Sequence, residues 1–254
     1  MANSGSGESI VTRVVRILAS FDRDHTAQTP SAIGRRAGLP TSTAFRLVDD
    51  LVAAGLLERD ERDEVRIGMR LWELTTRGSH ALGLRQAALP AMEAVQAAIL
   101  EHTQLGVLEN DEVLFIERLS GPAAGSNVTQ IAGRLPLHAS SSGLVLLAHA
   151  SSDTLDRILA GPLPALTPET ITDPSALRRK VAEVRQLGYA VAPGSVEVVS
   201  TGIAVPVRDG ATVVAALSVV LPRERSDVEA VVALLRQAAS QIGAALPEQR
   251  LHSH

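Results

Sequence analysis

The chain has 254 residues, 45% hydrophobic and 20% charged, which is the balance of a soluble globular protein with one large or two modest domains. It contains no cysteine, which excludes disulfides, thiolate zinc sites and cysteine nucleophiles, and no apolar run reaches the roughly 18 residues of a membrane span. Residues 1–80 are neutral and residues 81–254 carry the whole net charge of −4, so bulk charge does not support nucleic-acid binding.

Both ends of the chain are predicted to be tails. Residues 1–8 lack the basic and apolar segments of a signal peptide, and residues 248–254 follow the last apolar-faced helix. Together with the absence of cysteine, this pattern predicts a cytoplasmic protein.

The first folded segment has the pattern of a winged helix. Residues 9–21 place apolar side chains at helical spacing, and two further helices are predicted over 31–37 and 41–54. Gly38 ends the first of these two, and a tight turn with such a glycine is typical of a helix-turn-helix. The strand, polar tip and strand that follow, from LLERD to VRIGM, predict the wing and complete a domain over 9–69.

The rest of the chain predicts a second domain of mixed structure. A helix over 70–84 is expected to link the two domains, and an amphipathic helix over 85–102 follows, with Pro90 early in it. Strands and helices then alternate, and they end in a hairpin with an Asp-Gly turn and a long apolar-faced helix. This mixture of helices and antiparallel strands predicts an α+β sensor domain over 85–247.

Several ordered segments resemble the IclR family of bacterial transcription regulators, across roughly residues 9–245. They are, in chain order, RVVRILASF, AGLPTSTAFRLVDDLVAAGLLER, RIGMRLWEL, GRLPLHASSSG, LTPETITDPSALRRKVAEVRQLGYAV and IAVPVRDG with VVAALSVV. The resemblance implies an N-terminal winged helix-turn-helix, a linker helix and a GAF-like effector-binding domain, in a dimer or a dimer of dimers. Repression is the commoner outcome in this family, so the resemblance favours a repressor, with an activator as the alternative. A dimer would bind a pseudopalindromic operator in double-stranded DNA, with half-sites one helical turn or a multiple of it apart.

DNA contacts are expected on the second helix of the motif, whose N-terminal turn would enter the major groove. Short polar donors, an aromatic ring and an arginine lie there, namely Thr41, Ser42, Thr43, Phe45 and Arg46. Four further arginines are expected at the phosphate backbone, two on the preceding helix and two in the wing: Arg35, Arg36, Arg62 and Arg66. Asp49 and Asp50 would repel phosphate, so they are expected to face away from the duplex.

Structural interpretations of the same residues stay open. Thr41 or Ser42 can be the N-cap of the helix, and Phe45 can be a packing residue. Arg62 lies among acidic side chains, which favours a solvated hairpin tip.

The resemblance places an effector beside the loop that follows the LPLH segment. This loop comprises His138, Ala139, Ser140, Ser141 and Ser142. The backbone N–H groups of Ser141 and Ser142 would hold a carboxylate at the start of the next helix, as helix N-termini hold anions, with Ser140 as an alternative N-cap. A lone histidine such as His138 is more often structural than a ligand or a base.

In family members that bind small keto acids, an aspartate, a cysteine and two serines from later strands complete the site. The corresponding positions here are Ala192, Gly202, Ser218 and Val220, with Ile203 next to Gly202. The pocket has therefore lost hydrogen-bonding groups and side-chain volume. We expect a larger or more apolar effector, such as an aromatic acid or a lactone-like metabolite, and a pocket that binds no ligand is the alternative.

No motif points to catalysis. The chain has no G-x-S-x-G nucleophile elbow, no H-E-x-x-H zinc motif and no glycine-rich phosphate loop, and its 7 histidines show no ligand spacing. We therefore expect no enzyme activity, no metal and no cofactor. A DNA-binding regulator that acts through protein contacts, without a small molecule, is the alternative function.

Overall fold

Two units make up the chain, with the boundary between Ser79 and His80. The computed structural model describes residues 8–77, 79–122, 124–125, 127, 129–225 and 227–246. Except for Glu8, both predicted tails lie outside these residues. Within the described ranges, no helix is long and apolar enough to cross a membrane.

The first unit follows the predicted order of elements. Its elements are α1 (Ile10–Leu18), β1 (Ala27–Gln28), α2 (Pro30–Arg36), α3 (Thr41–Ala53), β2 (Leu57–Arg59), β3 (Val65–Ile67) and α4 (Met69–Thr76). The short strand β1 has no signal in the sequence, and it extends the wing to a three-stranded sheet in the order β1–β3–β2. The three helices of the motif pack their buried residues, such as Ile17, Ile33 and Val48, into one core with Leu57 of the wing.

The predicted linker helix over 70–84 is wrong as a single helix. Helix α4 ends at Thr76, and α5 (His80–Ile99) begins five residues earlier than the expected residue 85. Pro90 consequently lies in the middle of α5, where it removes one helical hydrogen bond to the carbonyl of Gln86. Apolar spacing did not reveal the break because both segments keep helical spacing up to the junction.

The second unit is built on one antiparallel sheet. Its further elements are β4 (His102–Glu109), β5 (Glu112–Leu119), β6 (Arg134–Pro136), α6 (Ser141–His149), α7 (Ser152–Ala160), α8 (Pro174–Leu187), β7 (Ala190–Pro193), β8 (Ser200–Asp209), β9 (Thr212–Pro222) and α9 (Val228–Ala245). The strand order is β6–β5–β4–β9–β8–β7. The predicted hairpins β4–β5 and β8–β9 are both present, and the α+β class is confirmed.

Each face of this sheet carries its own helices. One face packs Ile203 and Leu217 against α5 and α9, and the other packs Phe115 and Ala204 against α6 and α8. Because side chains alternate along a strand, consecutive residues of β8 such as Gly202 and Ile203 point to opposite faces. This alternation decides which predicted residues can reach the cavity beside α6.

Candidate functional site

The N-terminal turn of α3 is exposed and has no side-chain cap. The residue before the helix is Pro40, and neither Thr41 nor Ser42 forms the N-cap that the sequence left open. Both side chains are exposed, and Thr43 is half-buried. Hydroxyl groups at this end of α3 therefore face solvent without a capping role in the described unit.

One turn further along, α3 presents a ring and a cation. Phe45 is 40% exposed and Arg46 is 61% exposed. Among the described residues, the guanidinium of Arg46 has one carboxylate nearby, that of Asp50 at 4.0 Å, which is itself 66% exposed. The expectations that Arg46 faces the duplex and that Asp50 faces away from it conflict, because a residue four positions after Arg46 lies on the same helix face. Asp49 instead binds Arg59 of β2, with its Oδ1 2.6 Å from Nη2.

The side chain of Arg36 is bound by hydrogen bonds within the first unit. Its Nε donates to the carbonyl of Ser20 (3.0 Å), Nη2 donates to Asp22 Oδ2 (2.5 Å), and Nη1 donates to His25 Nε2 (3.2 Å). The opposite ring nitrogen of His25 donates to Asp22 Oδ1 (2.7 Å) and lowers the pKa of that carboxyl, with a smaller contribution from the charge of Arg36. This network attaches α2 to the segment after α1. The neighbouring Arg35 is exposed and has no ion pair in the described residues.

The two arginines predicted in the wing differ in their surroundings. Arg66 pairs with Glu58 across the hairpin, with Nε 2.7 Å from Oε1. Arg62 lies at the exposed tip, where its backbone N–H donates to Asp60 Oδ1 (2.9 Å) and its side chain forms no ion pair among the described residues. The tip is thus shaped by Asp60 and presents one unneutralised cation.

A cavity of about 380 Å³, its mouth included, lies in the second unit between the sheet and the start of α6. Residues from all six strands, from two loops and from the start of α6 line it: Gln104, Phe115, Asn127, Thr129, Leu135, Ser140, Ser141, Ser142, Ala192, Val196, Glu197, Ser200, Gly202 and Val220. Six of these were predicted from the sequence, namely Ser140, Ser141, Ser142, Ala192, Gly202 and Val220. Glu197 is the only charged side chain among the lining residues that the structure describes.

The start of α6 forms one wall of the cavity. Ser140 is its N-cap, with Oγ accepting from the backbone N–H of Gly143 (3.0 Å), and the Ser142 hydroxyl donates to the Ser218 hydroxyl (2.8 Å) behind it. The first N–H groups of a helix have no carbonyl partner within the helix. Ser141 and Ser142 therefore bring two such donors, and the positive end of the helix dipole, to the cavity wall.

Small side chains on three neighbouring strands form the floor. Ala192 pairs with Gly202, and Gly202 pairs with Val220. A Cβ atom at Gly202 would lie 2.7 Å from Ser141 Oγ and 3.9 Å from the Ser141 nitrogen. Glycine at this position therefore allows the helix start to approach the sheet and leaves the floor flat and apolar.

Four predicted effector residues do not line the cavity. The prediction that Ile203 lines the cavity is wrong, because its side chain lies in the core on the α5 and α9 face of the sheet. His138 is also buried elsewhere, and its Nε2 donates to the carbonyl of Pro164 (3.0 Å), which is a structural role. Ala139 is fully buried, and Ser218 lies behind Ser142.

The sequence did not indicate the polar wall formed by Gln104, Asn127 and Thr129. The Gln104 amide nitrogen donates to the Thr129 hydroxyl, which in turn donates to Asn127 Oδ1 (2.6 Å). The Thr129 backbone N–H also donates to Asn127 Oδ1 (2.9 Å). Gln104 lies on a strand that the sequence predicts and could have been noticed, whereas the segment before β6 has no periodic pattern.

The loop between β7 and β8 covers part of the cavity, and residues that do not line the cavity hold this loop by hydrogen bonds. Thr167 and Thr170 donate their hydroxyls to the carbonyls of Gly194 (2.7 Å) and Ser195 (2.6 Å). Arg223 donates to the carbonyl of Val198 (3.1 Å) and forms an ion pair with Glu169, which lowers the pKa of that carboxyl. Val196 and Glu197 of this loop line the cavity, so these contacts position its outer wall.

The described residues contain no group of His, Cys, Asp or Glu side chains arranged to hold a metal ion. The two sites offer hydrogen-bond donors, charge and apolar surface. The α3 surface presents exposed donors and cations, and the cavity presents backbone donors above an apolar floor.

Comparison with known proteins gives similarity along nearly the whole chain. Sequence models described as the IclR helix-turn-helix domain and as the bacterial transcriptional regulator IclR C-terminal match residues 10–61 and 77–244. The HTH-type transcriptional regulator XynR of Escherichia coli (strain K12) is 32% identical over 93% of this chain and 94% of its own length. The HTH-type transcriptional repressor AllR of the same strain is 28% identical over 94% and 91%.

Solved structures agree with these matches. A crystal structure of an IclR homolog complexed with 4-hydroxybenzoate, from Microbacterium hydrocarbonoxydans, is 57% identical with a TM-score of 0.89, over 94% of this chain and 99% of that chain. An IclR homolog from Microbacterium sp. strain HM58-2 is 55% identical with a TM-score of 0.64, over 96% and 100%. The predicted winged helix-turn-helix and effector-binding architecture is confirmed, and proteins of this kind are regulators rather than enzymes. The chain therefore belongs to the IclR family of bacterial transcriptional regulators.

Proposed function

We propose that this regulator represses transcription from a pseudopalindromic operator and that an aromatic carboxylate in the cavity of its second unit changes its affinity for that operator. It acts in the cytoplasm, where its DNA partner lies. The observation that carries the ligand part is the flat apolar floor at Ala192, Gly202 and Val220 beside the N–H groups at the start of α6. A similar protein, 57% identical, was crystallised with 4-hydroxybenzoate.

On the DNA side, the N-terminal turn of α3 enters the major groove. Thr41, Ser42 and Arg46 supply donors to base edges or phosphates, since they are exposed and are not used in capping or in a close ion pair. Thr43 and Phe45 lie at the edge of the same contact. Arg35 and Arg62 bind phosphate, because both are exposed without an ion pair in the described residues.

Arg36 and Arg66 contribute less to DNA binding than the sequence indicated. Each is held by an acidic partner of the same unit, Asp22 for Arg36 and Glu58 for Arg66. A guanidinium with a carboxylate at 2.5 to 2.7 Å has little net charge to offer a phosphate. We therefore assign Arg36 to the architecture of the helix-turn-helix.

The regulator binds DNA as a homodimer or as a dimer of dimers. Few cations face the duplex in one copy, so tight binding needs at least two copies on neighbouring half-sites. Apolar side chains exposed on α1 and on α4 support this assembly, among them Val11 at 71%, Val15 at 56% and Trp72 at 62%. Exposed apolar residues on consecutive helical turns are typical of a surface that a partner covers.

In the cavity, the ligand carboxylate accepts hydrogen bonds from the N–H groups of Ser141 and Ser142. The aromatic ring lies over Gly202 and Val220 and against Phe115. A ring in this position covers the apolar floor, whereas a two- or three-carbon keto acid would leave that floor uncovered.

A mobility-shift experiment with the DNA upstream of the gene tests the DNA part. Wild type and Arg46→Ala are compared at two salt concentrations. We expect a specific wild-type shift that weakens with salt and an affinity loss of at least about tenfold for Arg46→Ala, from one base or phosphate contact per protomer. Equal binding by both proteins would show that α3 is not the reading helix.

Calorimetry with the purified protein tests the ligand part. Titration with 4-hydroxybenzoate is expected to give saturable binding, and titration with glyoxylate or pyruvate is expected to give none. A preference for the keto acids would contradict the proposal. No binding of any acid, together with an unaltered shift of the operator, would favour the alternative of a regulator without a small-molecule effector.

A further inference from the structure

Asn127 lines the cavity with its amide orientation set by two hydrogen bonds. Its Oδ1 accepts from the backbone N–H of Thr129 (2.9 Å) and from the Thr129 hydroxyl (2.6 Å). The Thr129 hydroxyl is itself held by the amide nitrogen of Gln104 on β4. Both groups of Thr129 donate to the carbonyl oxygen of the Asn127 side chain. If this amide were flipped, its NH₂ group would face these two donors without an acceptor, so the orientation is fixed.

The amide nitrogen at the end of this chain of hydrogen bonds has no acceptor. Nδ2 of Asn127 is buried and unpartnered among the described residues, although it belongs to a residue that lines the cavity. Buried amide N–H groups almost always have a partner, since leaving one unmade is unfavourable. The unsatisfied donor belongs to a residue of the cavity wall, so a molecule that enters the cavity can bring the missing acceptor.

We propose that Asn127 is the specificity-determining residue of the cavity, and that its Nδ2 donates to an acceptor atom on the aromatic ring of the ligand, away from the carboxylate. This inference rests on the proposed function, because the start of α6 must hold the carboxylate first. The remaining ring substituent then meets the wall of Gln104, Thr129 and Asn127. The ligand class is therefore a hydroxylated aromatic carboxylate, such as a 4-hydroxybenzoate, rather than an unsubstituted or amino-substituted one.

Three acids of nearly the same shape separate the possibilities. The phenolic oxygen of 4-hydroxybenzoate accepts a hydrogen bond, the ring hydrogen of benzoate does not, and the nitrogen of 4-aminobenzoate donates but accepts poorly because its lone pair is delocalised into the ring. Wild type is expected to bind 4-hydroxybenzoate about tenfold more tightly than either of the others, which is the usual cost of one unsatisfied buried donor.

Variants of Asn127 are measured by calorimetry in the full chain. Asn127→Asp keeps the oxygen that Thr129 binds and replaces the donor with an acceptor, so the preference for 4-hydroxybenzoate over 4-aminobenzoate should fall to near one. Asn127→Leu removes the donor without adding a charge, so the preference over benzoate should disappear. Gln130→Leu, at an exposed amide outside the cavity lining, is the control and should keep the wild-type preferences.

The ratios distinguish this inference from the proposed function. Benzoate binding by each variant, with an unchanged operator shift, shows that the variant is folded and that the carboxylate site is intact. If wild type binds benzoate and 4-hydroxybenzoate equally, or if both Asn127 variants keep the wild-type ratios, the inference is overturned while the proposed function stands. If wild type binds none of the three acids, both are overturned.

Discussion

The two units of this regulator present their candidate sites in opposite ways. In the first unit, the residues that we assign to DNA contact are exposed side chains such as Arg46, which make few contacts with the rest of the unit. In the second unit, the proposed ligand site consists of buried serines and of small floor residues such as Gly202, which also hold the fold together. Function and stability should therefore separate under mutation in the first unit and change together in the second.

The largest expected effect is at the floor of the cavity. Gly202→Leu places a side chain where the Cβ atom alone meets Ser141 Oγ, so the helix start is displaced and the cavity is filled. We expect 4-hydroxybenzoate affinity to fall by more than about 100-fold, which corresponds to roughly 3 kcal/mol of lost binding free energy. Calorimetry measures this loss, and the operator shift should persist but no longer respond to the ligand.

The neighbouring residue of the same strand provides a matched control. Ile203→Val removes one methyl group from the core on the opposite face, so it should lower the unfolding free energy by about 0.5 to 1.5 kcal/mol and leave ligand affinity unchanged. Equal loss of ligand affinity in both variants would mean that Gly202 acts only through general stability, and the contrast between the two faces of the sheet would fail.

The second prediction concerns the buried pair that anchors the start of α6. Ser218→Ala leaves the Ser142 hydroxyl without its acceptor in a fully buried position, which should cost about 1 to 3 kcal/mol of unfolding free energy. Removing both hydroxyls in Ser142→Ala with Ser218→Ala should restore part of the loss. Urea unfolding of the two single variants and the double variant gives the coupling free energy. A double variant as unstable as the sum of the single variants would contradict the bond.

The same contrast explains which parts of the molecule could be predicted from the sequence. The face of α3 follows from helical periodicity within 13 residues, so Thr41, Ser42 and Arg46 could be placed on its exposed side without knowledge of the fold. The hydrogen bonds of Arg36 could not be predicted, because its partners, Ser20 and Asp22, precede it by 16 and 14 residues and nothing local links them.

Prediction was harder in the cavity because its wall is assembled by tertiary structure. Asn127 and Thr129 belong to an irregular segment, and their meeting with Gln104 depends on how the chain returns across the sheet. Ile203 was assigned to the site from its position beside Gly202, although strand alternation sends its side chain to the other face. The start of α6 was located correctly because a helix N-terminus has a local signal in its serines.

The third prediction uses the carboxylate that lies beside Arg46. Asp50→Asn removes a negative charge from the expected DNA face and releases the guanidinium at 4.0 Å, so operator affinity should rise about two- to threefold at low salt. The gain should shrink as salt increases, because the exposed charges are screened. Mobility shift at two salt concentrations measures it, and thermal unfolding should be nearly unaltered.

Asp49→Asn is the control for this charge change. Asp49 lies next in the chain, but it binds Arg59 of the wing rather than Arg46. Its loss should loosen the wing and should not tighten operator binding. If Asp49→Asn strengthened binding as much as Asp50→Asn, the effect would be one of net charge, and the specific pairing on the α3 surface would not matter.

The smallest predicted effect concerns the hydrogen-bond network around Arg36. This network is the exception in the first unit, because there we assign an exposed arginine to the architecture rather than to DNA contact. The hydrogen bond from His25, with a smaller contribution from the charge of Arg36, lowers the pKa of Asp22 below its usual value of 3.8. A lowered pKa in the folded state means that the ionised carboxylate stabilises the fold above the unfolded pKa, and that this contribution disappears as pH falls through the folded value. Asp22→Asn should therefore be less stable than wild type at pH 6, and the difference in melting temperature should narrow below about pH 4.

Thermal unfolding monitored by circular dichroism between pH 6 and pH 3 measures this narrowing. Asp24→Asn serves as the control, since the Asp24 side chain forms no ion pair in the described residues and should show no such pH-dependent difference. A constant gap between wild type and Asp22→Asn at every pH would mean that the carboxylate charge is not what attaches α2 to the segment after α1. Arg36 would then be available to phosphate, and its contacts with Asp22 and Ser20 would no longer be a reason to exclude it from the DNA surface.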